Sequence, residues 1–171
     1  MEIKGEYEVS ILIQNMFHSY VFIEKNHNIV TNEGLNLMLE ILGGKTSKRL
    51  SNVHVGKNDA EPSSLDNYDT LISPVALPFN DDTISVDGNV LTYTIECNGA
   101  DIYNTCEIGI CSDGNNKTLI TRDVHDSYDV PSSAIITIRY SLVLNNKGEE
   151  VENIEEPVEE EETNDQLSTD I

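Results

Sequence analysis

The sequence contains no tryptophan, and its other large aromatic residues are three Phe and seven Tyr in a chain of 171 residues. A hydrophobic core must therefore be built mostly from Ile, Leu and Val. The length is typical of one domain and is sufficient to bury a substantial core. Composition alone thus predicts one folded unit with an aliphatic interior.

Cysteine is also scarce: Cys97, Cys106 and Cys111 are the three in the chain. Their number is odd, and they form no Cys-x2-Cys pair of the kind that holds zinc. We interpret them as reduced, half-buried thiols of a protein that is assembled in a cytosol.

Long apolar runs are missing as well. No stretch approaches the roughly 20 apolar residues that a membrane span requires. The first residues, Met1-Glu2-Ile3-Lys4, contain no basic region followed by an apolar run, so we expect no signal peptide. The sequence therefore predicts a protein that does not engage a membrane.

Basic residues are few: 10 Lys and Arg stand against 31 Asp and Glu, for a formal net charge of −21. The segment Gly148–Ile171 holds 11 of those acidic residues and no basic one. Without it, 20 acidic and 10 basic residues remain, a net charge of −10. Because both parts of the chain repel phosphates, we expect no nucleic-acid binding.

The acidic segment also sets the predicted domain boundary. A stretch so rich in like charge cannot bury enough apolar area to offset its ordering entropy. We therefore predict a folded domain over residues 1–146 and a disordered acidic tail over residues 147–171.

One amphipathic helix is predicted from Thr31 to Leu42. Its apolar residues recur at i, i+3, i+4 and i+7 and form one stripe: Leu35, Met38, Leu39 and Leu42. A helix of three turns is too short to be stable alone in water, so we expect this stripe to pack on neighbouring strands.

Both ends of this helix carry recognisable signals. Thr31 is a candidate N-cap, because its hydroxyl can accept a hydrogen bond from a free backbone N–H. Gly43-Gly44 can provide the left-handed stop at the other end. Gly34 would cost roughly 1 kcal/mol inside a helix, so we place it in the first turn, where another part of the chain packs closely.

The rest of the chain reads as short strands separated by turns. Polar residues at Glu24–Asn28 and Asn98–Thr105 predict loops, and Asp87-Gly88-Asn89 is a strong hairpin signal. The predicted strands are Glu6–Gln14, Tyr20–Ile23, Val53–Val55, Thr83–Val86, Val90–Cys97, Glu107–Cys111, Thr118–Arg122 and Ala134–Leu144, with Thr70–Pro78 as an edge strand or irregular segment.

This pattern predicts a mainly β fold, namely an antiparallel, jelly-roll-like β-sandwich with the short helix packed on it. The alternative is a flat α+β sheet that carries its helix on one open face.

Candidate catalytic and metal-binding groups are dispersed. The four histidines, His18, His27, His54 and His125, have no partner at metal-ligand spacing. Asp123, Asp126 and Asp129 lie near His125, but we interpret this stretch as a solvated acidic loop. Because no Gly-x-Ser-x-Gly or phosphate-binding motif is present, we expect no catalysis, no metal and no cofactor.

Glu107 and Arg122 are the exception among the charged residues. Both belong to the predicted Cys106–Arg122 hairpin. A bidentate ion pair between them would fix the strand register and would have a structural role.

The order of several segments resembles a module of bacteriophage tail-fibre and related virion appendage proteins, including tail-collar and head-fibre-like proteins. The resemblance covers about Gly5 to Asn145. Two positions depart from the family pattern: Asn58 replaces a second glycine, and Cys111 replaces a common aromatic residue. The matching segments are Asn28-Ile-Val-Thr-Asn-Glu-Gly-Leu35, Val53-His-Val-Gly56, Tyr68-Asp-Thr-Leu71, Gly88-Asn-Val-Leu-Thr-Tyr93, Glu107-Ile-Gly109-Ile-Cys-Ser-Asp-Gly114, Leu119-Ile-Thr-Arg122 and Ile135–Leu144.

The resemblance implies a non-enzymatic structural component of a virion, an appendage subunit of tail, collar, baseplate or head fibre. Such a protein is made in the cytoplasm of the host bacterium, binds other virion proteins and usually forms homotrimers. Two alternatives are a capsid decoration protein and a module that binds glycans or a receptor on the host surface. A hydrolytic version of that module would need two carboxylates roughly 5 to 10 Å apart in a cleft.

Self-association through β-faces would use aromatic residues, and the candidates are Tyr7, Tyr20, Tyr93 and Tyr140. The alternative is that these tyrosines only complete the core of the monomer.

The acidic tail allows two roles besides solubilisation. It could dock on a basic surface of a neighbouring virion protein, or it could keep identical subunits apart until assembly. Val151, Ile154 and Val158 recur at three- and four-residue spacing and could form a short helix on binding. The run Glu159–Glu162 opposes such a helix at its C-terminal end.

Overall fold

The computed structural model describes residues 2–14, 19–77 and 84–145. The elements in chain order are β1 (Glu2–Gln14), β2 (Ser19–Val30), α1 (Asn32–Leu42), β3 (Leu50–Gly56), a 3-10 helix (Tyr68–Thr70), β4 (Val75–Ala76), β5 (Ile84–Asp87), β6 (Val90–Asn98), α2 (Gly99–Ile102), β7 (Glu107–Ser112), β8 (Thr121–Val124) and β9 (Ile135–Asn145). The predicted tail from residue 147 lies outside these ranges. None of the helices described could span a membrane.

The described strands form one antiparallel sheet in the order β4-β3-β7-β8-β2-β1-β9-β6-β5. Strand β1 lies between β2 and β9, so that Tyr7 pairs with Asn26 on one side and Tyr140 on the other. The prediction of a mainly β, antiparallel fold with one amphipathic helix is confirmed.

The sheet curls back on itself. Strands β3 and β6 are six places apart in the strand order, which in a flat sheet corresponds to roughly 29 Å. Nevertheless the hydroxyl of Tyr93 on β6 donates a hydrogen bond to the carbonyl of Leu50 on β3, with 3.0 Å between the oxygens. This closure is consistent with the predicted sandwich and excludes the flat, open alternative.

The core fills the space inside the curl. On β9 the buried residues alternate along the strand, as the pattern of apolar residues predicts. The cluster is mostly aliphatic, and its members include Val9, Ile11, Val53, Val55, Ile95, Ile108, Ile110, Ile120, Ile136, Ile138 and Leu142.

Three of the four tyrosines predicted as interface candidates lie inside this core. Tyr7, Tyr93 and Tyr140 are buried, so their assignment to an interface is wrong, and they complete the monomer core instead. Burial is tolerated because each hydroxyl has a polar partner; that of Tyr7 donates to Asp123 at 2.8 Å. Nothing is described for the side chain of Tyr20.

The boundaries differ most at β2, which runs through the segment Glu24–Asn28 that we predicted as a loop. Two of its residues lie opposite acidic residues of β1, and one of these is His27, opposite Glu6. Lys25 lies opposite Glu8, and its ammonium group is 2.9 Å from that carboxylate. Such cross-strand pairs stabilise a strand without apolar burial. A second predicted loop, Asn98–Thr105, contains the short helix α2.

Helix α1 begins and ends as predicted. The hydroxyl of Thr31 accepts a hydrogen bond from the backbone N–H of Gly34 at 2.9 Å. At the C-terminal end Gly44 has a φ of +63°, which is the left-handed stop.

Gly34 lies where another backbone passes close to the first turn of α1. A Cβ atom at this position would lie 2.5 Å from the carbonyl oxygen of Ile120 and 2.6 Å from its Cα. The prediction of close packing at Gly34 is therefore confirmed. It also fixes the rotation of the helix, because only the face that contains Gly34 can approach the sheet.

This rotation contradicts the predicted burial of the apolar stripe. Leu35, Leu39 and Leu42 are 38 %, 63 % and 78 % exposed, so the prediction that they pack inside the chain is wrong. The buried face of α1 consists instead of Gly34 and Leu37, with partly buried Met38 and Ile41 beside them. Of the predicted stripe, only Met38 contacts the core.

The contact at Gly34 leads to a test of this arrangement. We expect Gly34→Ala to destabilise the protein by about 1–3 kcal/mol, since its methyl group overlaps backbone that cannot move aside cheaply. The matched control is Asn36→Ala on the exposed face of α1, which should change stability by less than about 0.5 kcal/mol. Urea unfolding followed by circular dichroism measures both, and equal stability of the two variants would contradict the close contact.

Candidate functional site

Arg122 on β8 is the centre of a buried polar network. Its side chain is fully buried, and four hydrogen bonds satisfy it. The Nε atom donates to Oε2 of Glu107 at 2.9 Å, and Nη1 donates to Oδ2 of Asp66 at 3.0 Å. The backbone carbonyls of Ala60 and Asn58 each accept a further bond at 3.0 Å. A buried guanidinium is tolerable only because it is paired in this way.

The carboxylate of Glu107 extends the network to both ends of the loop after β3. Its Oε1 atom accepts hydrogen bonds from the backbone N–H groups of Asn58 and Ile72, both at 2.9 Å. Segment 57–72, which contains a single 3-10 turn, is therefore held at its two ends by one carboxylate. We call this segment the network loop.

The predicted bidentate geometry of the Glu107–Arg122 pair is wrong. Glu107 lies opposite Val124 in the ladder and Ile108 lies opposite Asp123, so Arg122 is a diagonal neighbour of Glu107. The guanidinium approaches from the side through Nε, and its remaining N–H groups bind the network loop. The pair is structural, as predicted, but its main task is to hold a loop.

The motif residues that are far apart in sequence meet at segment 119–122. The N–H of Thr31 donates to the carbonyl of Ile120 at 2.9 Å, and the Thr31 hydroxyl donates to the carbonyl of Leu119 at 2.5 Å. Gly109 packs against the backbone of Thr121 and leaves no room for a side chain. Together with Arg122, these contacts join the start of α1, strand β7 and the network loop in one unit.

His54 on β3 connects the same loop to the sheet. It is buried, and its ring meets the ring of Tyr68 edge to face with 5.7 Å between the centroids. Burial, helped by the positive charge of Lys117 and opposed by a hydrogen bond that the imidazole donates to the backbone at Asn52, lowers the pKa of His54 to about 4. The imidazole is therefore neutral at pH 7.

An apolar groove of about 730 Å³ lies beside α1. One wall is the exposed flank of the helix, with Leu35, Leu39 and Leu42. The other walls include Val86 and Leu144. Val86 lies beside the β5–β6 turn and is 73 % exposed, and Leu144 lies near the end of β9. Sequence reasoning found the helical stripe but assigned it to the interior, and no local pattern indicates that Val86 and Leu144 share its surface.

A polar cavity of about 360 Å³ lies near Cys106 and His125. His125 is buried and stacks on Tyr128 with 4.3 Å between ring centroids, so the prediction of a solvated loop is wrong at this residue. Within residues 2–14, 19–77 and 84–145, no three His, Cys, Asp or Glu side chains are grouped to hold a metal ion. Burial also raises the pKa of Cys97 and Cys111 to about 12, which keeps both thiols protonated.

Comparison with protein-family models, curated proteins and solved structures finds no match for this chain. A functional interpretation therefore depends on the motifs in its own sequence and on the surfaces described above.

The network makes a strong prediction about Arg122. We expect Arg122→Met to cost about 3–5 kcal/mol, because it leaves the Glu107 carboxylate buried without its partner. The control is Arg49→Met, which removes an exposed pair with Asp113 at 3.8 Å and should cost less than about 1 kcal/mol. Chemical denaturation measures the free energy of unfolding of both variants. Similar small decreases in the two variants would show that the network does not stabilise the fold.

His54 predicts a pH dependence of stability. Its pKa of about 4 in the folded protein lies below the ordinary value of 6.5, so the unfolded chain binds the proton more readily. The stabilisation is complete above about pH 6.5 and is lost as the pH falls towards 4. His54→Phe should remove this component, and the exposed His27→Gln should retain it. Melting temperatures measured from pH 7.5 to 4 compare the three proteins, and identical curves would exclude this role.

Proposed function

We propose that this protein is a non-enzymatic structural subunit of a bacteriophage virion, an appendage component of tail, collar, baseplate or head fibre that acts through contacts with other virion proteins. The observation that carries the proposal is the exposed apolar groove beside α1, which is separate from the buried core of the sheet. A contiguous exposed apolar surface of this kind is typical of protein–protein contact.

The resemblance to appendage proteins supports the same proposal, because the residues of its motifs lie together at one place in the fold. Thr31, Gly34, Glu107, Gly109 and Arg122 are separated by up to 91 positions, yet all of them contact segment 119–122 or belong to it. A set of residues that together builds one junction is more specific to a fold than the same residues taken singly.

A glycan-binding module is less well supported by the same surface. Sugar sites need several convergent polar groups to bind hydroxyls, together with apolar or aromatic contact. The groove is lined almost entirely by apolar, non-aromatic side chains, among them Met38, Ile41 and Leu142, and none of the described residues in its lining is aromatic. Its chemistry fits an apolar protein segment better than a carbohydrate.

Homotrimer formation remains a prediction of the resemblance. With Tyr7, Tyr93 and Tyr140 buried in the core, trimer contacts must use other surfaces, for which the edge strands β4 and β5 are available. Light scattering of the purified protein at high micromolar concentration should give three times the monomer mass; a monomer mass would contradict self-association in the absence of partners.

The virion assignment is tested on purified phage particles. Mass spectrometry should find the chain in a fixed, low copy number, and gold-labelled antibodies should place it at an appendage. Labelling spread over the capsid at high copy number would favour the decoration alternative. Absence of the chain from particles that are otherwise complete would overturn the proposal.

A further inference from the structure

The groove beside α1 has the shape of a site for a helical segment. Leu35, Leu39 and Leu42 recur at i, i+4 and i+7 along one wall, so their side chains form a ridge parallel to the α1 axis. A second helix laid along this ridge can insert its own apolar side chains between it and the opposite wall at Val86 and Leu144. The volume of about 730 Å³ admits several such side chains.

Charge decides what kind of segment fits. Both charged residues of α1, Glu33 and Glu40, are acidic, and Asp87 lies in the turn beside the groove. The basic residues nearest in sequence to the lining are Lys4, Lys48 and Arg49; Lys48 donates to the carbonyl of Asn116, and Arg49 is near Asp113. The immediate surroundings are therefore close to neutral.

The chain as a whole is acidic: its net charge is −21, and it is still −10 without Gly148–Ile171. Strand β9 ends at Asn145, immediately after Leu144 in the groove wall. Segment Gly148–Ile171, which begins three residues later, contains 11 acidic residues and no basic one. These carboxylates are joined by the chain to the end of β9, and a basic occupant complements their charge as well as that of the folded part.

We propose that this groove binds an amphipathic helical segment of another protein whose apolar face is flanked by Lys and Arg. The inference deepens the proposed function and rests on its premise that the groove is a protein contact. A second copy of this chain is disfavoured as the occupant, because the helix that it would offer, α1, carries Glu33 and Glu40 and no Lys or Arg. The chain's own acidic segment is disfavoured for the same reason, since it adds carboxylates and no cation.

A synthetic peptide tests this chemistry directly. The probe is a fluorescent helical peptide of about 18 residues with Leu at i, i+3, i+4 and i+7 and Lys on both flanks. We expect fluorescence anisotropy to report saturable binding to the full-length protein. A peptide of the same composition in scrambled order, and one with Glu in place of Lys, should each bind about tenfold more weakly or worse.

Variants of the protein locate the binding surface. Leu39→Asp combined with Leu42→Asp should weaken binding of the Lys peptide at least about tenfold, although both changes add negative charge. The matched control is Leu65→Asp in the network loop, since Leu65 is 78 % exposed, as Leu42 is, and lies outside the groove. It should leave the affinity within about twofold. All three positions are exposed, so melting curves should confirm that the fold is intact.

Removal of residues 147–171 tests the contribution of the acidic segment. Truncation should weaken binding of the Lys peptide and make binding less dependent on salt. The reason is that the attraction between the carboxylates of the segment and the Lys side chains, which salt screens, is lost. Stronger binding after truncation would mean that the segment itself occupies the groove, and it would overturn the proposal.

Three other outcomes contradict the proposal as well. Equal binding of the scrambled peptide would show that charge alone is responsible. Unchanged binding by the Leu39→Asp, Leu42→Asp protein would place the site elsewhere. A self-associated state that the same double variant dissolves would show that the groove is covered by a second copy. Failure of the virion assignment would be seen separately, as absence of the chain from particles while the peptide still binds.

Discussion

The ion pair between Arg122 and Glu107 is the interaction on which the rest of the structure depends. Two charges placed inside a protein are costly unless every donor and acceptor has a partner. Here the partners come from the network loop, which has almost no regular structure of its own and gains its position from those bonds. The hydrogen bonds that stabilise the two buried charges therefore also hold 16 residues, 57–72, in place. Loop and sheet are expected to unfold together.

A second constraint, the approach of α1 to segment 119–122, determines which surface the protein offers. Because Gly34 has no side chain, the helix lies against the backbone of Ile120 and presents Leu37 to the core. Rotation by one residue would have buried Leu35 and Leu39 instead. The apolar groove is therefore a consequence of how the helix is anchored: one face of α1 packs on the core, and a different face lines the groove.

The sequence allowed the elements with local signals to be predicted: the cap at Thr31, the stop at Gly44 and the alternation along β9. The buried face of α1 could not be predicted in the same way. The apolar stripe indicates one face of the helix and the close contact at Gly34 indicates a neighbouring face, and only tertiary packing determines which of the two is buried. The prediction of interface residues was wrong for Tyr7, Tyr93 and Tyr140. Tyrosine is common both at interfaces and in cores, and the sequence does not show that a buried hydroxyl has a hydrogen-bond partner, as Tyr7 has in Asp123. The groove could not be predicted from the sequence, because two of its walls, at Leu35 and Leu144, are about 100 residues apart in the chain.

The pairing of β1 with β9 has a consequence for the order in which the molecule can form. Glu2 lies opposite Asn145, and the eleven-residue ladder between these strands occupies the middle of the sheet. A chain emerging from the ribosome can close the β1–β2 hairpin early, but that hairpin has no second neighbour for β1 until the last strand arrives. Such long-range pairing slows folding. During synthesis the apolar face of the hairpin, with Val9 and Ile11, therefore stays exposed to water until the later strands are made.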